Sequence, residues 1–244
     1  ADGLNSAQIA AENSMIDAQD LSVPVEVYSQ AMEFSFLFDP QRQVFYLGYN
    51  VAGEKADSNH YDLLASEARI ASLVAIAKGE VPQSHWLHLA RPITRTDHTQ
   101  ALLSWNGSMF EYLMPSLLMR RYEGTLLDQS QRAIVQRQID YGRQKGVPWG
   151  ISEAGYYGFD AHLNYQYRGF GVPGLGFKRG LGEDLVISPY ASLLALPQDP
   201  QAVMQNIAHL IRLRMLGPYG FYEAIDYTPS RLSLGQESGM VRSY

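Results

Sequence analysis

Residues 61–79, YDLLASEARIASLVAIAKG, most restrict what this chain can fold into. The run is rich in Ala and Leu, carries Asp62 near its start and Lys78 near its end, and stops at Gly79. It reads as a helix over 61–78. It is apolar on nearly every side, and such a helix has to be buried. One carboxylate, Glu67, shares a stripe with Leu63, Ile70, Ala71 and Val74. A charge on an apolar stripe is costly unless it is paired or functional. Both readings stand at this point, an ion pair to a neighbouring helix and a chemical role. Arg69, about 200° round the helix, is not the obvious partner.

The rest of the pattern is also mainly helical. Residues 6–20 carry a loose stripe through Ile9, Ala10, Met15 and Ile16, and a second short helix runs from Pro24 to about Met32. Residues 110–119 read as a helix interrupted by Pro115. Residues 126–145 form a long helix closed by Gly146 and Pro148, and 200–216 a helix ended by Gly217 and Pro218. A hairpin is expected near 34–49, turning at Asp39-Pro40-Gln41. Residues 147–190 hold many Gly, Pro and Tyr and read as loops, and the tail 219–244 reads as loop with the start of one more helix. No repeat or low-complexity linker divides the chain. The expectation is one mainly helical, all-α domain, a layered toroid or a bundle, with small β-hairpins.

Composition removes several function classes. The 25 acidic and 19 basic residues leave a net charge of −6, the wrong sign for a nucleic-acid binder. The absence of cysteine excludes a disulfide scaffold, a thiolate metal site and a cysteine nucleophile. No apolar run approaches the ~18 residues that span a bilayer, and ADGLNSAQIAAENS lacks the basic start and apolar centre of a signal peptide. What stands out is 16 Tyr, 9 Phe and 3 Trp beside 21 Gly and 12 Pro, large rings carried on many loops. Sugar sites use such surfaces, and so does any well-packed core.

The short motifs are weak. GFGVPG (169–174) matches G-x-G-x-x-G but contains Pro173 and lies among loops, so it reads as a tight glycine loop. GISEAG (150–155) fails as a nucleophile elbow because Ala154 replaces the second glycine. His85 and His88 have no third ligand at metal spacing. The carboxylates say more. Glu153 lies between Trp149 and the pair Tyr156–Tyr157. Glu111 follows Trp105, and Glu223 and Asp226 sit among tyrosines that include Tyr227. Acids in aromatic company suit glycosyl hydrolysis or transfer, two for chemistry and others for hydroxyls. For Glu111, Glu223 and Asp226, fixing loops by hydrogen bonds is the stronger alternative.

Longer strings carry a resemblance. LFDPQRQVFYLGYN, YDLLASEARIASLVAIAKGEVP, HWLHLARP, LLSWNGSMFEYLMPSLLM, RQIDYGRQKGVPWGISEAGY, YQYRGFGVPGLGFKRGL and GFYEAIDYTPSR resemble the glycoamylase-like domain of cyclic β-1,2-glucan synthases, from about residue 34 onward. The resemblance implies an (α/α)₆ toroid and an anomer-retaining transglycosylase that cuts and rejoins (cyclises) β-1,2-glucan. It implies that Glu67, in the SEAR segment, is the acid/base and Glu153, in GISE, the nucleophile. Such a pair needs carboxyls ~5–5.5 Å apart. Tyr61, Asp62, Trp105, Glu111, Trp149, Tyr156, Tyr157, Glu223, Asp226 and Tyr227 are the candidate substrate contacts, with no metal or organic cofactor required.

The resemblance also implies a domain at 34–244 after a helical lead-in at 1–33. The domain would be cut at its C-terminal side, with the toroid incomplete. It would belong to a larger membrane-anchored synthase at the cytoplasmic face of a bacterial inner membrane, with no membrane contact from this segment. His60 departs from the family, standing where an aromatic residue is expected. Two rival readings are an inverting endo-β-1,2-glucanase, with carboxyls ~6.5–9.5 Å apart, and a non-catalytic glucan-binding module.

Overall fold

The computed structural model describes residues 2–96, 100–162 and 164–243; Tyr244, the last residue of the expected tail, lies outside them. Seven α-helices occur among these residues: α1 (Asp2–Ala31), α2 (Arg69–Ala77), α3 (Ser84–His88), α4 (Met109–Leu113), α5 (Leu126–Lys145), α6 (Pro189–Leu194) and α7 (Pro200–Arg212).

The all-α expectation is not met. The chain is 41% helix and 18% strand, a mixed fold, and this overturns the all-α toroid. The strands are short and antiparallel. Phe38–Asp39, Val44–Tyr46 and His60–Tyr61 form one sheet; Val186–Ile187, Ala224–Asp226 and Gly239–Val241 form another. Four two-stranded hairpins complete the set, among them Ile93–Arg95 with Gln100–Leu102 and Ala154–Phe159 with Tyr165–Arg168. The tail 219–244, expected as loop with the start of one more helix, supplies two strands of the second sheet and one strand of a hairpin. Glycine and proline punctuation cuts these regions too short for helices, and the apolar residues between pair across strands instead.

The 61–78 helix is shorter than its composition suggests. Ala90 N–H donates to the Asp62 carbonyl at 2.7 Å, and Leu64 N–H donates to the Ala90 carbonyl at 3.0 Å. Backbone groups committed to another segment cannot close helical turns, so α2 begins only at Arg69. Tyr61 is in a strand, and Glu67 lies in the turn before α2. At the N-terminus the two expected helices are one, α1, with Pro24 inside it. Residues 3–28 are exposed. Lys78 Nζ holds the far end of α1 through the carbonyls of Ser29 at 3.1 Å, Gln30 at 3.2 Å and Met32, a cation at the negative end of the helix dipole.

Of the other expected helices, 126–145 stands whole, 110–119 keeps only α4, and 200–216 stops at Arg212, with Leu216–Gly217 in a strand. α5 starts on Thr125, which accepts from Asp128 N–H at 3.3 Å, and ends on left-handed Gly146. Pro115 ends α4 in a 3₁₀ turn, Met114–Leu117. The core joins α4, α5, α6 and α7 to the short sheets through Leu102, Met109, Leu113, Ile134, Ile187, Leu210 and Met215, all nearly solvent-free. His85 is a core residue, joined to the Gln43 carbonyl at 2.8 Å and Ser72 Oγ at 2.9 Å.

Candidate active site

Glu153 ends a segment held rigid on both sides. Gln138 of α5 clamps Ile151, its amide donating to the Ile151 carbonyl and accepting from the Ile151 N–H, both at 2.8 Å. Gly150 has φ +121°, and a Cβ there would stand 2.6 Å from Ser192 Oγ. Only glycine lets the backbone pass. Ser152 Oγ accepts from Phe110 N–H at 3.0 Å, and the Tyr190 hydroxyl lies 2.8 Å from both Ser152 Oγ and the Glu153 carbonyl. A carbonyl can only accept, so Tyr190 donates to Glu153 and receives from Ser152. The side chain of Glu153 accepts from the Tyr167 hydroxyl at 3.1 Å.

Burial pushes the Glu153 carboxyl above its ordinary range. The Tyr167 hydrogen bond and Lys178 pull it back, while the charges of Glu67 and Glu111 add to the rise. Glu67 is also raised by burial, and the Glu111 charge adds to the rise. Its own backbone N–H, Ser66, which donates to Glu67 Oε2 at 3.2 Å, and Arg69 oppose this. The Tyr61 hydroxyl is raised by burial and then by the charges of Glu67 and Glu153, so both carboxylates act on this phenol. Arg69 is buried and turns away from Glu67. It donates to the carbonyls of Ser66 and Glu111 at 2.7 Å and of Tyr112 at 2.6 Å. Burial lowers its guanidinium to about 10.

Glu111 is a buried anchor. Its Oε1 accepts from Trp105 N–H at 3.0 Å and Asn106 N–H at 2.9 Å; its Oε2 accepts from Ser104 Oγ and Ser108 N–H at 2.9 Å and from Ser108 Oγ at 2.8 Å. With Ser108 it forms a capping box at the start of α4. The GFGVPG loop lies against this same turn, because a Cβ on Gly171 would stand 1.7 Å from the Asn106 carbonyl oxygen. Gly171 is thus there to admit backbone.

The structure gathers some candidates and separates others. Tyr61, Glu67, Glu111 and Glu153 share one electrostatic neighbourhood, and Trp105, 61% exposed, rides on the Glu111 turn. Asp62 is exposed next to Tyr61. Glu223 joins the edge of this group, accepting from Gly155 N–H at 2.6 Å and from the Tyr165 and Ser243 hydroxyls. Trp149 is buried, with its backbone held by Asn206 at 3.1 and 2.7 Å, so its ring is core and not a cleft wall. Asp226 is buried and bound to Arg231 Nε at 2.6 Å and Tyr157 N–H at 3.0 Å. Tyr156 packs on Phe170 and beneath Arg231, Tyr157 lies over Gly239, and Tyr227 packs on the core.

Sequence reasoning missed Tyr167, Tyr190 and Lys178 beside Glu153. Tyr165 and Tyr167 alternate in YQYR, a period-two signal that marks a strand with both rings on one face. His60 replaces the expected ring with another flat one. It stacks on Tyr46 at 4.6 Å and meets Asp39 Oδ2 at 2.9 Å.

With that geometry in place, three comparisons bear on the chain. The Glycoamylase family model, describing candidate glucoamylases, matches residues 59–242. Cyclic β-(1,2)-glucan synthase NdvB of Rhizobium meliloti (strain 1021) is 51% identical over 214 residues, 88% of this chain and 8% of that protein. The chain thus spans less than a tenth of that relative. Among solved structures, an endo-β-1,2-glucanase from Chitinophaga pinensis, in complex with sophorotriose and glucose, superimposes with a TM-score of 0.61 at 18% identity, over 86% of this chain and 54% of that one. A protein from Bacteroides caccae described as a candidate glucoamylase gives 0.62 at 16% identity over the same shares. At these identities the two structures speak for the fold. Among the described residues no helix is long and apolar enough to cross a membrane.

Proposed function

Since this chain belongs to the glycoamylase family, a family of glycosidase and transglycosylase type, we propose that it processes β-1,2-glucan by anomer-retaining transglycosylation. Glu153 attacks the anomeric carbon while Glu67 protonates the departing oxygen. Glu67 then takes the proton of the incoming hydroxyl, from the glucan's own end or from water. The observation that carries the reading is the pair itself. Two half-buried carboxyls are 86 residues apart in sequence, yet Glu153 feels the charge of Glu67 and the Tyr61 phenol feels the charge of both.

Both carboxyls are raised by burial, and each has neighbours that oppose the rise, Tyr167 and Lys178 at Glu153 and Ser66 and Arg69 at Glu67. The division of labour between them follows the family resemblance. Trp105, exposed on the turn that Glu111 fixes, is offered to a sugar face. The substrate follows from the synthase that half of the aligned residues match. The proposal includes a lead-in at residues 1–33, a catalytic unit from about 34 onward, and work within a larger membrane-anchored synthase.

The test is incubation with linear β-1,2-glucan, reading chain length and the anomer first released. Larger, smaller or cyclic products with retained configuration support the proposal. An inverted product would assign hydrolysis with a water-activating base instead. Binding with no change in chain length would leave a glucan-holding module.

A further inference from the structure

We infer that Tyr167 is the positioning residue of Glu153: its hydroxyl holds the Oε2 oxygen and leaves Oε1 as the oxygen that attacks. The inference rests on the reading of Glu153 as the nucleophile. A carboxylate on a free side chain presents either oxygen in several rotamers. One held by a fixed donor presents the other oxygen in a single direction, and reaction rates depend steeply on such alignment.

The donor here is fixed by a chain of contacts. Tyr167 stands opposite Gly155 in the hairpin register and places its hydroxyl 3.1 Å from Glu153 Oε2. Its ring lies beside that of Tyr165, with centroids 6.5 Å apart. Tyr165 in turn lies over Gly155, where a Cβ would stand 2.6 Å from the ring. Glu223 accepts from both the Tyr165 hydroxyl and Gly155 N–H, and so ties the two strands together at the level of Tyr167. The backbone of Glu153 is held independently by Tyr190 through its carbonyl. Two braces from different elements therefore converge on one residue, Tyr190 on its backbone and Tyr167 on its carboxylate.

Tyr167 acts as a donor and not as an acid or base. Burial and the nearby Glu153 charge push its phenol up to about 12, so it keeps its proton through the reaction. In the first step the Oε1–C1 bond forms and the glycosidic C1–O bond breaks. The electron pair goes to the departing oxygen, which takes the proton of Glu67. The other charged groups around Glu153 are Glu67, Glu111 and Lys178, none of which is hydrogen-bonded to its carboxylate. Tyr167 thus contributes what no neighbour supplies, a directed bond to one oxygen.

Tyr167→Phe tests this with two readouts. Glu153 carboxyl titration, followed by carbon-13 NMR, should move to higher pH, and the acid limb of kcat/KM on linear β-1,2-glucan should move up with it. The kcat should fall by roughly ten- to a hundredfold, as for loss of a hydrogen bond to a charged group, with KM nearly unchanged. An unmoved Glu153 titration, or a raised KM with kcat intact, would overturn the inference and leave Tyr167 a sugar contact. If the Phe protein does not fold, Glu153→Gln gives the reciprocal reading. The Tyr167 phenol should then titrate below about 12, and no change would overturn the inference. Full glucan cleavage by Glu153→Gln would instead remove the nucleophile reading itself.

Discussion

Arg69, two residues from Glu67, donates to the backbone carbonyl of Glu111 at 2.7 Å and not to the Glu67 carboxylate. This cation is thus occupied in joining α2 to α4, and it acts on Glu67 only through its charge, against the rise that burial causes. Removing the guanidinium would take a buried donor from three carbonyls, of which Ser66 keeps the residue-69 N–H at 3.3 Å and Tyr112 keeps the Gln131 amide at 3.2 Å. Arg69→Met should destabilise the fold by about 3 kcal/mol or more. Urea unfolding checks this, and a change within ~0.5 kcal/mol would contradict the buried-anchor role.

Glu67 itself works against stability. Its carboxyl is raised in the folded state, so the stability it contributes is present below the ordinary value of 4.5 and is lost as pH rises through the folded value. Glu67→Gln should therefore raise Tm at pH 7 by about 2 °C. The gain should disappear near pH 4. A Tm that falls at pH 7 would mean that the charge is paired in a way the contacts around it do not show.

Glu111 is an acid whose loss should look structural. Its two oxygens accept five hydrogen bonds, and an amide nitrogen can accept none. Glu111→Gln should cost about 2–4 kcal/mol and release the Trp105 turn. Trp fluorescence and thermal melting read this directly. Loss of activity with unchanged Tm and fluorescence would make Glu111 a chemical participant instead.

The glycine loop gives a steric prediction. Gly171→Ala places a methyl within bonding distance of the Asn106 carbonyl oxygen, so the loop must part from the Glu111 turn. A loss of about 3 kcal/mol is expected, the upper range for backbone strain. A neutral result would show that the two loops are not in contact.

Much of the scaffold was legible. α5 announced itself through its stop at Gly146 and α7 through its start at Pro200, because such signals are local chemistry. The Glu153 segment was legible as an acid among rings and glycines. Residues 61–79 were not, since their composition is helical and nothing local reveals that 62–64 bind Ala90. Trp149 misled for a related reason. Its neighbour in space is Gly142, where a Cβ would stand 2.9 Å from the Trp149 Cβ, and a glycine inside a helix does not say which ring will lie on it. The tail strand Ala224–Asp226 depends on Val186–Ile187, a separation that periodicity cannot read.

Azide rescue tests the central claim most directly, because it separates the two carboxylates by the stereochemistry of the product. With Glu153→Ala, azide replaces the missing nucleophile, and the account predicts a glycosyl azide of inverted configuration. With Glu67→Ala, azide intercepts the covalent intermediate, and the predicted product has retained configuration. A retained azide from Glu153→Ala, or full glucan cleavage by either variant without azide, would contradict the assignment of Glu153 as nucleophile and Glu67 as acid/base.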